Sequence, residues 1–356
     1  MQQATRTILT VFEVRKTRRQ KERFRRYLTE LLEDNGYNVA IETHKGLWRS
    51  DNVVVGDPAT AKLIFTAHYD TCARLPLPNL CTPRNLPGIV LYQLLLAALI
   101  FLLPLLLAII AVLVDIGPAA TMGVIYFSLL FQLWWMIDGP ANPHTANDNT
   151  SGVMTLTELL LTLPPAHRDS VCCVFFDNEE KGLLGSGAFY AKHKKALGRT
   201  PLINFDCVCD GDSIELYPRK ECRKDPRLMA RLREAFVGEN GKSVEVVSGF
   251  AFYPSDQKRF PKGIGVCALH KSRLLGGYLG RIHTARDTVM DENNIELLRK
   301  GSLRMAECYS EEYHAKGNFY QGRAGEQPEE YRRDHPPRQA GGADGPVRQR
   351  QKLPGL

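Results

Sequence analysis

The sequence predicts an α/β domain that is interrupted by a transmembrane helical hairpin. Short apolar runs that suit β-strands alternate with runs that suit α-helices, which is typical of the α/β class. Two long runs without a charged residue follow each other in the middle of the chain, at residues 89–114 and 119–137. From about residue 317 the chain is rich in Pro, Gly, Gln and Arg, and this composition predicts disorder.

The strands and helices can be assigned in chain order from their patterns. The first helix is predicted over residues 16–35, where an Asn-Gly pair ends it. The run SVCCVFF is apolar throughout, as expected for a strand covered on both faces. The full set after the first helix is the strands YNVAIE, NVVVG and KLIFTAH, the helix GVMTLTELLLTL, the strand SVCCVFF, the helix GSGAFYAKHKKA, the strand PLINFDCVC, the helix DPRLMARLREAF, strands near Val244 and Ile264, and the closing helix ENNIELLRKGSLRMAECYSEEY.

The two uncharged runs are long enough to cross a bilayer. As a helix, residues 89–114 would measure about 39 Å, against a hydrocarbon core of about 30 Å. The second run ends in Trp134 and Trp135, residues typical of the membrane interface. Arg84 and the basic cluster of residues 15–26 lie on one side of the two spans, and the turn between the spans carries only Asp115 as a charged residue. The positive-inside rule therefore predicts that both flanking regions lie in the cytoplasm.

The chain is therefore divided into three regions. Residues 1–85 and 139–316 form the predicted soluble domain, residues 86–138 the membrane hairpin, and residues 317–356 the disordered tail. We expect an integral membrane protein whose main domain lies on the cytoplasmic side. Two alternatives stay open for the hairpin: a buried core element, or an oligomer interface in a soluble enzyme. The oligomeric state cannot be predicted.

Charge and cysteine content narrow the class of protein. The formal net charge is +7, and residues 15–26 contain eight basic residues and one acid, a local excess of 8 − 1 = 7. Because the rest of the chain is balanced, a nucleic-acid partner is not predicted. The basic cluster suits either a solvated helix face or a contact with anionic lipid. The nine cysteines include no CxxC pair and predict reduced thiols in the cytoplasm.

Acids and histidines follow several of the predicted strands. In an α/β sheet, the loops beyond the carboxyl ends of parallel strands converge on one crevice. A mixed set of imidazoles and carboxylates suits borderline divalent metals such as zinc. The candidate residues are His68 and Asp70 in LIFTAHYDT, Asp148 in HTANDNTSG, Glu179 and Glu180 in FFDNEEKGLLGS, Asp206 in LINFDCV, and His283 in GRIHTARDT.

Local geometry suggests a different role for each of these side chains at a metal site. Positions i and i+2 of a strand face the same way, so Asp70 lies beside His68 and can accept its second ring N–H. The neighbouring side chains of Glu179 and Glu180 diverge, so one can bind metal while the other faces a water molecule. Asp148 lies in a loop of small residues and suits a carboxylate that bridges two cations.

In this order, the five motifs resemble the di-zinc aminopeptidase family, metallopeptidase family 28. That family includes leucyl aminopeptidases, glutamate carboxypeptidase II and the glutaminyl cyclases. The resemblance covers residues 17–315 apart from the hairpin. The segment YPSDQKRF also resembles the family's Ser-Asp-His segment, with Gln257 in place of the usual His. The implied fold is a mixed, mostly parallel sheet of about eight strands between helix layers.

The resemblance also implies the role of each site residue. His68, Asp148 and Asp206 would hold one zinc ion, and Asp148, Glu180 and His283 would hold the other. Glu179 would be the general base, with Asp70 as the partner of His68.

The predicted function is a membrane-anchored zinc exopeptidase, most simply an aminopeptidase that hydrolyses the N-terminal residues of peptides. A carboxypeptidase would need cationic clamps, for which the sequence offers Arg223, Lys224, Arg259 and Arg273. A glutaminyl cyclase, or a catalytically silent membrane-bound binding protein, is a further alternative. The sequence does not give the substrate side chain or the pathway.

Overall fold

A computed structural model describes residues 1–75 and 79–325 of the chain. Residues Met1–Tyr313 form one compact unit, and His314–Leu356 form a second. Of the second unit, the structure describes only a helical backbone that ends at Gly325. The predicted disordered tail begins within this helix, and residues 326–356 lie outside the described residues, so the domain boundaries stay a prediction.

Among the described residues, nine strands form a single sheet around which the compact unit is built. The order across the sheet is β1-β2-β4-β3-β5-β8-β6-β7, and the short strand β9 pairs with β8. This confirms the mixed sheet of about eight strands. The strands are β1 Val39–His44, β2 Ser50–Val55, β3 Leu63–His68, β4 Val171–Phe176, β5 Leu202–Phe205, β6 Ser213–Pro218, β7 Ser243–Val246, β8 Gly263–Ser272 and β9 Gly276–Tyr278.

The four central strands are parallel to one another. Strand β3 pairs in parallel with β4 and with β5, and β5 pairs in parallel with β8. The outer pairs β1–β2, β2–β4 and β6–β8 are antiparallel. Because parallel strands end at the same edge, the carboxyl ends of β4, β3, β5 and β8 lie side by side.

Helices cover both faces of the sheet, as expected. Alternate residues of β3 divide between two apolar clusters: Leu63 and Phe65 pack in the larger one and Ile64 in the smaller one. Phe189 packs with Ile64, so its helix covers the second face. The α-helices of the soluble domain are α1 Gln3–Phe12, α2 Arg18–Asp34, α5 Gly152–Thr162, α6 Leu184–Leu197, α7 Lys220–Arg223, α8 Pro226–Ala235 and α9 Glu292–Gly325.

Helix α2 is solvated on one face, as one interpretation of the basic cluster predicts: Arg18, Arg19, Arg23 and Arg26 are exposed. Its opposite face does not follow that interpretation. A reciprocal pair of hydrogen bonds between Thr17 and Gln20 caps the start of the helix. Phe24 is buried on the inward face, and Lys21 on the same side donates to Asp177 at 2.6 Å. Arg25 forms an ion pair with Asp51 at 3.2 Å. Part of the positive charge therefore neutralises acids inside the domain.

The two uncharged runs form helices α3, Leu86–Leu113, and α4, Pro118–Asp138, which pack against each other. Both are long and apolar enough to span a membrane. In the most apolar 18-residue segment of each helix, only 11% of the residues of α3 and 6% of those of α4 are buried. The alternative of a buried core hairpin is therefore wrong. The amide of Gln132 donates to the Ile100 carbonyl across the hairpin at 3.1 Å, which satisfies its polar group within the apolar segment.

The C-terminal end of α4 is attached to the soluble domain by three polar contacts. Lys16 donates to the carbonyl of Ile137, in the last turn of α4, at 2.7 Å. The indole of Trp135 donates to the Arg74 carbonyl at 3.1 Å. Asp138 forms an ion pair with Lys181 at 2.5 Å.

Candidate metal centre

The strand ends place three of the predicted site segments at one edge of the sheet. His68 is the last residue of β3 and lies opposite Phe176, the last residue of β4. Asp206 directly follows β5. Glu179 and Glu180 lie in the turn between β4 and α6. The parallel arrangement of the strands thus brings residues from distant parts of the sequence to a common edge.

Asp148 lies in the irregular turn Ala146–Ser151 that precedes α5, where its own backbone angles are not helical, and several contacts fix this turn. The carboxylate of Asp287 accepts the backbone N–H of Asn147 at 2.8 Å and of Asp148 at 3.0 Å. The side chain of Asn149 donates to the Phe205 carbonyl at 2.9 Å and so joins the turn to the end of β5. A Cβ atom on Gly152 would lie 2.4 Å from that same carbonyl, so only glycine permits this approach.

The carboxylate of Asp148 lies between the two histidines. Its Oδ1 atom is 3.5 Å from Nε2 of His68, and its Oδ2 atom is 3.1 Å from Nε2 of His283. Asp206 Oδ1 is 3.6 Å from His68 Nε2, and Glu180 Oε2 is 3.5 Å from His283 Nε2. The structure therefore brings all five predicted ligands together in two groups that share Asp148.

The contact expected between Asp70 and His68 differs in its atoms. The ring Nδ1 of His68 lies 3.1 Å from the backbone oxygen of Asp70 and 3.7 Å from its carboxylate. The carboxylate instead accepts the backbone N–H groups of Glu179 at 2.9 Å and Glu180 at 3.2 Å. Asp70 thus connects the end of β3 to the turn that carries both glutamates.

Buried carboxylates outnumber the buried cations at this edge. Burial raises the pKa of Glu179 well above its ordinary value and that of Glu180 to about 8. The Oε1 atom of Glu180 is buried without a hydrogen-bond partner among the described residues. Burial alone would lower the pKa of His283, but Glu180 and Asp148 raise it to about 9. Oxygen and imidazole donors with uncompensated negative charge fit divalent cations such as zinc.

These residues line one cleft of about 380 Å³. Its described walls contain no Lys or Arg, so the charged groups that face the cleft are the acids and histidines of the site. The remaining lining is mostly apolar and includes Leu80, Phe252, Tyr253 and Ile282. Three further wall residues, Ile89, Tyr92 and Gln93, come from the apolar helix α3.

Backbone conformation is unusual around the cleft. Four of the six described non-glycine residues with positive φ lie next to site residues or among them: Asn178, Leu183, Cys207 and His283, with φ between 56° and 61°. Such conformations cost about 1–3 kcal/mol each and persist where the surroundings enforce them. They turn the chain sharply beyond the strand ends and direct the site residues into the cleft.

Sequence reasoning missed several residues that support the site. Asp287, which orients the Asp148 turn, was visible only as an acid four residues after His283 in HTARDT. Cys72 lies with Asp148, Glu180 and His283, and its thiol is buried. Neither residue has a spacing that distinguishes it from an ordinary core residue.

Arg15 was also missed, because it belongs to the basic cluster. It is fully buried and donates to the carbonyls of Tyr69 at 2.5 Å and Phe12 at 2.6 Å. Burial lowers its pKa to about 10, and the charges of Asp70, Glu13 and Asp148 oppose this shift. Arg15 thus places positive charge beneath the acidic edge.

Asp177, the acid that precedes the two glutamates in FFDNEEK, does not line the cleft. Its carboxylate lies 2.6 Å from Lys21 Nζ and also accepts the backbone N–H of Asp51 at 3.0 Å. It therefore joins helix α2 to the sheet, while the two glutamates that follow it face the cleft.

The fold is that of the zinc exopeptidases, and the donor set suits a metal-dependent hydrolase. The model of peptidase family M28 matches residues 133–306, a range that includes every predicted ligand except His68. This segment belongs to peptidase family M28, and the chain is a metallopeptidase; the family match supports zinc as its metal and peptides as its substrate class. A comparison with curated proteins finds no match.

Solved structures with the same fold are similar to this chain at low sequence identity. The LapA aminopeptidase of Legionella pneumophila is 14% identical with a TM-score of 0.51, covering 85% of this chain and 69% of its own. A zinc-dependent exopeptidase from Parabacteroides distasonis is 15% identical with a TM-score of 0.52, covering 86% and 96%. Macrostomum lignano glutaminyl cyclase is 13% identical with a TM-score of 0.54, covering 86% and 88%. At such identities these likenesses show the fold.

The role of Asp70 can be tested through zinc affinity. In Asp70→Asn, one of the two backbone N–H groups loses its acceptor, so the glutamate turn should lose its fixed position. Mutation of a residue that holds metal ligands in position typically weakens metal affinity by about 10–100-fold. We expect a zinc dissociation constant weaker by about that factor in a competition titration with a chelator. The control is Asp34→Asn at the exposed end of α2, which should bind zinc like the unchanged chain. Unchanged affinity in Asp70→Asn would contradict this role.

Proposed function

We propose that the chain is a membrane-anchored aminopeptidase with two zinc ions. The observation that carries the proposal is the division of the ligands into two groups that share Asp148. His68, Asp148 and Asp206 would hold one ion, and Asp148, Glu180 and His283 the other. A zinc pair polarises the scissile carbonyl and lowers the pKa of bound water toward neutrality.

Glu179 is the proposed general base. One of its carboxylate oxygens lies within 4.8 Å of a ring nitrogen of His68 and of a carboxylate oxygen of Glu180, so it faces the same space as the ligands. Burial raises its pKa well above the ordinary value, which makes the carboxylate a stronger proton acceptor. It would take a proton from the attacking water and pass it to the leaving amine. Asp70 positions it through the backbone N–H of the glutamate turn.

The charge of the cleft favours an amino-terminal substrate group over a carboxyl-terminal one. A protonated α-amine suits a wall of carboxylates, whereas a terminal carboxylate would need Lys or Arg, which the described cleft walls lack. Three of the four candidate clamps make other contacts. Arg223 donates to the Pro218 carbonyl at 2.7 Å, Lys224 to Glu221 at 2.7 Å, and Arg259 to the Gly182 carbonyl at 3.0 Å.

Membrane anchoring by residues 86–138 is the second part of the proposal. The outer faces of α3 and α4 expose large apolar side chains, including Leu91 at 70% and Phe127 at 71%. Contiguous apolar surface of this extent is rare on soluble monomers. Both chain ends of the hairpin return to the soluble domain, and Trp134 and Trp135 lie at that end. With Arg84 also there, the soluble domain is proposed to face the cytoplasm.

The base assignment predicts a separation of binding from catalysis. Glu179→Gln keeps the size of the side chain but cannot accept the proton, so kcat for aminoacyl substrates should fall by about 10²–10⁴-fold. Zinc content by plasma mass spectrometry should stay unchanged. The matched control Glu30→Gln, on the exposed face of α2, should keep full activity. Full activity of Glu179→Gln would refute this role. A panel that includes dipeptidyl, carboxyl-terminal and N-terminal glutamine substrates separates aminopeptidase from carboxypeptidase and cyclase activity.

The anchor and its orientation predict a labelling pattern. After a carbonate wash, the chain should stay in the membrane pellet, whereas a soluble oligomer would be released. Exposed Cys308 should react with an impermeant maleimide only in inverted vesicles. In a Cys308→Ser background, Asp115→Cys in the hairpin turn should react only from outside intact cells. Release by carbonate would contradict anchoring, and the reverse labelling would contradict the orientation.

A further inference from the structure

The first turns of helix α3 form a wall of the catalytic cleft. Ile89, Tyr92 and Gln93 line the same cavity as the ligands. Their spacing of i, i+3 and i+4 places them on one face of the helix. The residues between and after them face outward: Leu91 is 70% exposed and Leu94 63% exposed. One helix therefore contacts the substrate space on one side and presents a lipid-type surface on the other.

The length of α3 places this wall at the depth of the lipid head groups. Its 28 residues span about 42 Å, whereas the 21 residues of α4 span about 32 Å, close to the hydrocarbon thickness of about 30 Å. Both helices meet at the short turn between them, so the surplus of about 10 Å in α3 over α4 projects at the domain end. At 1.5 Å per residue this surplus is about seven residues, which corresponds to residues 86–92. Ile89 and Tyr92 lie within it, and Gln93 directly follows it.

A loop on the other side of the cleft mouth carries apolar side chains toward the same level. The backbone N–H of Phe252 donates to the Pro83 carbonyl at 2.8 Å, which fixes this loop beside the start of α3. Phe252 lines the cleft and is 44% exposed, and Phe250 is 60% exposed. Aromatic side chains in this setting are typical of the membrane interface.

The glutamate turn is also tied to the membrane hairpin. Lys181 directly follows Glu180 and forms an ion pair with Asp138, the last residue of α4, at 2.5 Å. The turn that holds the proposed base and a proposed ligand therefore lies next to the point where α4 leaves the bilayer. Together these contacts place the chemistry within a few residues of the lipid surface.

We propose that the substrates are peptides that are themselves bound to the membrane, with their N-termini at the head-group layer of the cytoplasmic surface. This inference rests on the proposed aminopeptidase activity and anchoring. A membrane-bound peptide would enter beside Tyr92 and Gln93, and confinement to the same surface would raise its effective concentration at the cleft. Freely dissolved peptides lack this advantage.

The test uses the full chain, reconstituted in phosphatidylcholine vesicles, and three peptides with one N-terminal sequence. The first carries a hexadecyl amide after a spacer of four residues, which reach about 14 Å when extended. The second carries the same anchor after a spacer of about 20 residues, and the third is a soluble methylamide. We expect kcat/KM for both anchored peptides to exceed that of the soluble peptide by at least about 10-fold, because both are confined to the surface.

The two spacer lengths distinguish the height of the cleft above the bilayer from the raised concentration of any anchored peptide at the membrane surface. Cleavage of the long-spacer peptide alone would mean that the cleft stands away from the bilayer, and would overturn the proposal. Equal cleavage of soluble and anchored peptides would overturn it as well. If no peptide is cleaved although the chain binds zinc and pellets with vesicles, the aminopeptidase proposal fails first and this inference fails with it.

A direct measurement of depth does not depend on activity. Spin labels would be attached at Phe252→Cys and at Ala59→Cys in a Cys308→Ser background. Ala59 lies in the exposed turn before β3, at the opposite edge of the sheet from the cleft. In power saturation, the label at 252 should be more accessible to oxygen and less accessible to a water-soluble nickel chelate than the label at 59. Equal, aqueous behaviour at both positions would overturn the proposal.

Discussion

The whole site depends on the compensation of carboxylates that are crowded at one edge of the sheet. Asp70, Asp148 and Asp206 are each less than 10% exposed, and burial raises the pKa of Glu180 to about 8. Such a group stays ionised only if positive charge lies nearby. Arg15 supplies part of this charge from beneath. In the proposed metal-bound state two zinc ions supply the rest, because a histidine that binds zinc is neutral.

The parallel strands and the loops between them explain why this edge forms. β3, β4 and β5 deliver their carboxyl ends side by side, and the turn before α5 inserts Asp148 among them. Asn149 and Asp287 hold that turn to the sheet and to the loop after His283. The apolar hairpin of α3 and α4 is inserted between β3 and this turn, yet it leaves the candidate ligands together. Its two ends contact the site instead, through the α3 wall and the Lys181–Asp138 pair.

The five candidate ligands that the sequence indicates do line one cleft, and their role as ligands stays a prediction. His68, the two glutamates and Asp206 lie at the ends of apolar strands, and the family resemblance supplied the order of the whole set. Most strands and helices could be predicted because their signal is local. Helix α1 and strand β6 were missed, because TILTVF and SIELYP are short and lie beside turn or charged residues.

Contacts between distant segments could not be predicted from pattern. Arg15 and Lys21 look like members of a solvated basic helix, and only the folded chain shows that they point inward. Strand alternation gives the direction of the Asp70 side chain but not the donors to its carboxylate, which are the backbone N–H groups of the glutamate turn. Tyr92 and Gln93 could not be distinguished from other residues of an apolar helix.

The most direct test of the two ligand groups that share Asp148 is the number of zinc ions bound by ligand variants. It would be measured on the purified chain after a chelator has removed all metal. Calorimetric titration should give two zinc ions for the unchanged chain. Asp206→Asn and His283→Ala should each lose one ion, because each belongs to one group only. Asp148→Asn should weaken both, since its two oxygens face different histidines. A single zinc in the unchanged chain, or one site left at full affinity in Asp148→Asn, would contradict the account.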